Sequence, residues 1–255
     1  MATNIVTVCL PPVAPERVHD ALVEVMAPYD QNMDSGVSGG EWQGEWDWWH
    51  VFGGDDERGL RVRSGFEDDP RIIRNPVYRE GEKRLGTRSR CDGGPRGLLD
   101  FDTDRAAAEE KALATWQALS ALAERSQAAS PLRDFLDRFA RDATYPVTQA
   151  RQDYMEQPFI RAAFASGLMT STVVQEADDP VARLELGWAE FLERERSRVI
   201  PTAALIGLDG KWRDDSCVGN IRERFARTLE YLRFADRYLL GLDADVLVVR
   251  IRFHS

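Results

Sequence analysis

The chain has little cysteine and little histidine, and what it has is scattered. Cys9, Cys91 and Cys217 are odd in number, far apart and without a CxxC pair, so a disulfide framework is not expected and a reducing compartment is. His19, His50 and His254 do not fall at the spacings of a zinc finger or ribbon, and no metal site is expected. No apolar run approaches the roughly 20 residues needed to cross a bilayer, so no membrane partner is expected. Met1 to Leu10 lacks the basic start and long apolar core of a signal peptide. These absences together point to the cytoplasm. The sequence also lacks the Gly-Lys-Ser/Thr ending of a P-loop and the G-x-G-x-x-G of a dinucleotide fold, and no cofactor is expected.

Enough is present for a folded protein. The 255 residues are 43 % hydrophobic and 30 % charged, a globular composition with length for one large domain or two small ones. The formal charge of -10 disfavours general nucleic-acid or anionic-membrane binding. One segment runs against that sign. Between Arg71 and Arg96 eight basic residues face three acids, leaving the segment at +5. Such a loop either meets an anionic ligand or is neutralised by acids elsewhere in the chain.

The periodicity alternates between strand and helix. Asn4 to Leu10 reads as a buried strand. Pro15 opens a helix with Val18, Leu22, Val25 and Met26 on one face, closed by Pro28. After a Gly- and Ser-rich stretch from Met33 to Gly44, the aromatic run Trp46 to Phe52 favours a strand. Strict alternation places Trp46, Trp48, His50 and Phe52 on one face and Asp47, Trp49 and Val51 on the other. Asp55 to Gly97 has no sustained period, with short β-like pieces at Leu60 to Val62 and Arg71 to Ile73. Helical spacing begins near Asp104, with Leu113, Trp116, Leu119 and Ala123 on a stripe. It continues after Ser130-Pro131, over Val147 to Ala165 with Pro158 as a break, and from Asp179-Pro180 through Val181, Leu184, Trp188 and Phe191. A short strand at Ala203 to Leu208 ends in Asp209-Gly210, a long helix runs from Ile221 to Leu239, and Asp245 to Phe253 alternates as a final strand, with Val249, Ile251 and Phe253 set against Arg250, Arg252 and His254.

This order predicts an α+β fold. Residues 1–100 and 200–255 are expected to form one core of the ferredoxin-like split β-α-β type, carrying an irregular loop over 55–97. Residues 101–199 are expected to form an inserted or packed helical lobe.

Trp46-Asp47-Trp48-Trp49 with Gly53-Gly54, and Asp209-Gly210-Lys211-Trp212 ahead of a helix and a last strand reaching His254, are distinctive. In these two blocks the chain resembles a family of uncharacterised phage and actinobacterial proteins with a W-D-W-[WY]-x-x-G-G-R-W core and a C-terminal D-G-x-W block. Asp55-Asp56 stands where that pattern has Arg-Trp, and Arg213 to Asn220 replaces its aromatic, Gly-rich loop. The resemblance implies a phage-related origin and supplies no chemistry.

The candidate ligand-binding residues are Trp46, Trp48, His50 and Arg96. Two indoles on one strand face can stack on a nucleobase, an adjacent imidazole can move a proton, and Arg96 in Gly93-Gly94-Pro95-Arg96-Gly97 can meet a phosphate. The competing fate of such indoles is core packing, and that of the glycine run a flexible loop. Asp100, Asp102 and Asp104 precede a helix and fit capping better than metal binding. No catalytic residue is assigned. Three functions remain open. The first is an accessory protein binding a small anionic or nucleotide-like ligand or a protein partner. The second is an enzyme with an unconventional site built on His50, Asp47 and Arg96, acting on a nucleotide or phosphate ester. The third is an assembly protein without a small ligand.

Overall fold

The computed structural model describes residues 3–32, 44–53, 58–75, 77–79, 82–84, 87–169, 179–214 and 221–254, with backbone alone for 3, 77–79, 82–84 and 221–226. The chain divides into two compact units. One comprises Met1–Asp104, Ile200–Ser216 and Glu230–Ser255; the other comprises Arg105–Val199 and Cys217–Leu229. The fold is α+β, with a mixed sheet in the first unit and helices in the second.

In the sheet unit, β1 (Thr3–Leu10) is a β-branched run buried on both faces. Helix α1 (Val18–Met26) follows a 3-10 turn at Pro15–Arg17, and it buries Val18, Leu22 and Met26 at four-residue intervals. Next come β2 (Trp48–Val51), β3 (Leu60–Arg61), β4 (Val77–Arg79), β5 (Glu82–Arg84), β6 (Arg90–Cys91) and β7 (Gly93–Pro95). After the helical segment come β8 (Ala204–Ile206), β9 (Trp212–Asp214), helix α8 (Ile221–Leu240), of which the part from Glu230 belongs to this unit, and β10 (Leu247–His254). The strand order is β2-β10-β1-β8-β9, with β7 also pairing β10. Strands β7 and β2 share one edge of β10 end to end, Pro95 opposite Leu247 and Trp48 opposite His254.

This sheet differs from the four-stranded antiparallel, ferredoxin-like sheet expected from the sequence, because β8 runs parallel to β1. The added strand β9 is the reason. In the split β-α-β arrangement the strand after the midpoint leads directly into the second helix. Here β8 first turns back into β9, so β9 leads into α8 and β8 is left parallel to β1. The turn between them is built by the D-G-x-W block. Gly210 sits at φ +70, where a side chain is strained. The Asp209 carboxylate accepts from the Lys211 amide and from Arg213, and Arg213 holds it well below the usual carboxylate range.

One sheet face packs Val6, Val8, Leu10, Ala204, Ile206, Val249, Ile251 and Phe253 against α1. Trp46 belongs to this core, with Trp49 and Trp212 packed beside it. The opposite face carries Thr7, Arg250, Arg252, His254, Trp48 and His50.

The helical unit follows the expected periodicity with two breaks. Helix α2 (Phe101–Arg125) starts in the first unit, where Asp100 caps the Thr103 amide. Then come α3 (Leu132–Arg141), α4 (Val147–Glu156), α5 (Pro158–Ala165), α6 (Pro180–Glu185) and α7 (Trp188–Ser197). Pro158 separates α4 from α5, and Gly187 at φ +76 separates α6 from α7. Leu113, expected on the buried stripe with Leu119, is exposed. The buried Asp179 joins three helices, accepting from the Leu132 amide at 2.7 Å, the Tyr154 hydroxyl at 2.9 Å and the Val181 amide at 2.9 Å. Among the described residues no helix is long and apolar enough to cross a membrane.

Candidate functional site

The aromatic run does not form the face that strict alternation requires. Strand pairing begins only at Trp48, and Trp46 stands before it as an isolated bridge to Asp30. Trp46 is turned into the core, where its indole N–H donates to the Met26 carbonyl at 3.1 Å and its ring meets Trp49 edge-on. It is therefore a packing residue and is separate from Trp48. Trp49 faces the same core and lies beside His19 of α1, with ring centroids 6.0 Å apart.

Trp48 is on the other face and is 43 % exposed. Two imidazoles lie parallel to its indole to within 3°. His50 is two residues along β2, with centroids 5.5 Å apart, and His254 is the cross-strand partner on β10, at 5.8 Å. Trp48 and His50 thus meet as the alternation predicts, and the register with β10 adds a residue that no local pattern could supply.

Both imidazoles are held in a defined tautomer. The Asp47 carboxylate lies 2.7 and 2.8 Å from Nδ1 of His254. A carboxylate only accepts, so Nδ1 carries the hydrogen and Nε2 is the nitrogen not engaged by Asp47. The Val51 carbonyl lies 2.7 Å from Nδ1 of His50 and fixes the same tautomer there. Asp47 was expected on the opposite face from Trp48. It reaches this one because residue 47 lies in a bend ahead of the strand, its amide donating to the His254 carbonyl. The Asn32 side chain holds the Asp47 carbonyl at 2.9 Å.

Arg252 completes the face. It is directly opposite His50 in the ladder and two residues from His254 on β10. Its guanidinium lies 5.0 Å from the Phe52 ring centroid, and among the described residues no carboxylate pairs with it.

Arg96 is not part of this cluster. It follows Pro95, which pairs with Leu247 at the other end of β10, about 20 Å or more away at about 3.3 Å per residue. Its guanidinium donates to the Leu239 and Leu99 carbonyls and lies over the Phe101 ring at 4.1 Å. Burial, and then Arg63, hold its pKa below the usual guanidinium range. The glycines before it form β7, not a phosphate cradle. A Cβ on Gly93 would come within 2.7 Å of the Val248 carbonyl oxygen. The combination of His50, Asp47 and Arg96 is therefore not assembled.

Where the side chains of the basic loop are described, Arg71, Arg88 and Arg90 pair with carboxylates of the chain, and Arg74 and Arg96 donate to backbone carbonyls. Arg71 pairs with Asp69 at 2.8 Å, and Arg88 pairs with Asp68. Arg90 grips both oxygens of Asp104 at 2.6 and 2.9 Å, and Arg61 joins them at 2.8 Å. Arg74 donates to the Arg88 and Arg90 carbonyls. Arg79, Lys83 and Arg84 have side chains outside the described residues, as do Asp55-Asp56 and Cys217.

Other reactive groups are spent on structure. Burial pushes the Cys9 and Cys91 thiols up to about 12, which removes them as nucleophiles at neutral pH. Arg250 lies on the same sheet face as Arg252 but is buried. It donates to the Ile200 carbonyl at 3.0 Å, and burial lowers its pKa to about 10. Among the described residues no three His, Cys, Asp or Glu side chains group as a metal site.

No known protein-family model, no curated protein and no solved structure matches this chain.

Proposed function

We propose that the protein binds a small, planar, nucleotide-like ligand against the Trp48 face of β2 and β10. The observation that carries this reading is an indole 43 % exposed on a sheet, with two imidazole rings parallel to it. Large aromatics on sheets ordinarily bury themselves, as Trp46 does. An exposed aromatic wall on a strand is the arrangement on which bases stack, at about 1–3 kcal/mol per base. Arg252 and the Nε2 atoms of His50 and His254 supply polar contacts for the ligand's edge or phosphate. The binding set is thus Trp48, His50, His254 and Arg252, with Asp47 positioning His254. The resemblance to phage proteins and the two buried free thiols support a cytoplasmic accessory factor.

The histidines make the test direct, because the chain has only three. Nucleoside monophosphates are titrated into the protein while the imidazole carbon–proton signals are followed by NMR. Signals of His50 and His254 should shift together and saturate, while His19, on α1, stays in place. Movement of all three equally, or of none, would remove the reading.

A further inference from the structure

We infer that the Trp48 face also cleaves a ribonucleotide phosphodiester by transesterification, with His254 as base, His50 as acid and Arg252 as the phosphate-facing cation. This rests on the planar-ligand reading above and adds a reaction to it. The observation behind it is the order of side chains in the ladder. His50 is opposite Arg252, Trp48 is opposite His254, and all four occupy one sheet face. The two imidazoles are therefore diagonal neighbours on opposite corners, with Arg252 and Trp48 on the remaining corners. Diagonal neighbours on a sheet stand about 7–8 Å apart. That span accommodates a phosphate between two hydrogen bonds of about 2.8 Å each.

The tautomers suit the roles. The Asp47 carboxylate behind Nδ1 of His254 stabilises the imidazolium that forms when Nε2 takes a proton. His50 has only a neutral carbonyl behind its Nδ1 and gives its Nε2 proton when it is in the imidazolium form. With a base stacked on Trp48, the ribose 2′-hydroxyl loses its proton to Nε2 of His254. The 2′-oxygen forms a bond to phosphorus, and the bond from phosphorus to the 5′-oxygen breaks. His50 protonates that leaving oxygen. The products are a 2′,3′-cyclic phosphate and a 5′-hydroxyl, and the two imidazoles end with the proton exchanged between them. No water, oxidant or metal enters the balance. Arg252 faces the charge that builds on the non-bridging oxygens. The formal charge of -10 disfavours long polyanions and so favours short substrates.

The test uses the full chain and the dinucleotide cytidylyl-3′,5′-adenosine, with its 2′-deoxy analogue as control. Products are separated by chromatography and the cyclic phosphate is identified by phosphorus NMR. The ribonucleotide should give cytidine 2′,3′-cyclic phosphate and adenosine, unaffected by a chelator, and the deoxy analogue should stay intact. His50→Ala and His254→Ala, purified identically, should each lose about a hundredfold or more in rate, whereas His19→Ala should keep it. Cleavage surviving unchanged in both site variants would mark a contaminating nuclease and overturn the proposal. An intact ribonucleotide that still shifts the His50 and His254 signals would overturn the reaction and leave binding standing. An intact ribonucleotide that shifts neither would remove both.

Discussion

Asp47 and His254 are separated by 207 positions in sequence, and the carboxylate of one grips Nδ1 of the other at 2.7 Å. The contact exists because β2 pairs with β10 in the register that sets Trp48 against His254, leaving Asp47 just past the end of the ladder. Replacing Asp47 with Ala should free His254 to place its hydrogen on either ring nitrogen. Nitrogen NMR of the imidazoles should then show His254 moving away from the Nδ1–H pattern while His50, held by the Val51 carbonyl, keeps it. Stability should change by about 1 kcal/mol or less, because the pair is partly exposed. An unchanged His254 tautomer would deny Asp47 its positioning role.

The two tryptophans of the W-D-W block should separate cleanly by mutation. Trp46→Ala removes a buried ring and its hydrogen bond to Met26, and should cost about 3–5 kcal/mol in urea unfolding. Trp48→Ala removes a ring that is 43 % exposed and whose neighbours are two imidazoles, and should cost about 1 kcal/mol or less. Nucleotide binding should be lost in Trp48→Ala and retained in whatever fraction of Trp46→Ala remains folded. Equal destabilisation by both would place Trp48 in the core and take away the stacking surface.

That contrast also marks how far local sequence patterns reach. Alternation correctly put Trp48 and His50 together and Val249, Ile251 and Phe253 inward, because side-chain direction along a strand is a local property. It failed for Trp46, because alternation holds only where backbone pairing does, and pairing starts at Trp48. It also failed for Asp47, which lies in the bend beside it. His254 and Arg252 were visible as one face of the last strand, but the register that brings that face to Trp48 is set across the whole chain. Arg96 was misplaced for the same reason. A Gly-rich run has the composition of a loop, and only its pairing with Leu247 to Val249 makes it strand β7. The parallel pairing of β1 with β8 depends on the short strand β9, whose three residues carry too little periodicity to register as an element of their own. In the helical unit Pro158 breaks its helix by a local rule, as read, whereas Gly187 splits into α6 and α7 what reads as one helix from Asp179-Pro180 through Phe191.

Gly93 should be intolerant of any side chain. Its Cβ would lie 2.7 Å from the Val248 oxygen and 2.9 Å from the Val249 Cα, backbone atoms of the interior strand β10 that cannot give way. Gly93→Ala should cost about 1–3 kcal/mol, read as a lowered melting temperature, with faster hydrogen exchange at the amides where β7 pairs with β10. Gly65→Ala serves as a contrast, since open space surrounds its Cβ and only its φ of +90 opposes the change. A Gly93→Ala protein as stable as the parent would mean that β7 does not pack against β10 as described.

Asp179 should give the helical unit a pH dependence opposite to that of an ordinary surface carboxylate. Burial raises its pKa in the native state, although Leu132, Tyr154 and Val181 donate hydrogen bonds that favour the charged form. The native protein therefore keeps this proton to higher pH than the unfolded chain does. Between the two pKa values the native state holds more protons, so stability falls as pH rises. The contribution is fully present below the ordinary carboxylate range and is lost as pH rises through the raised native value. Asp179→Asn removes the titration and keeps an acceptor for the Leu132 amide. Urea unfolding of both proteins across this range should show the parent losing stability relative to Asp179→Asn as pH rises. Asp179→Ala should be weaker than both at every pH, by about 1–3 kcal/mol for each buried donor left without an acceptor. A parent that instead gains on Asp179→Asn as pH rises would mean that the three donors outweigh burial and that the carboxylate is held charged in the native fold.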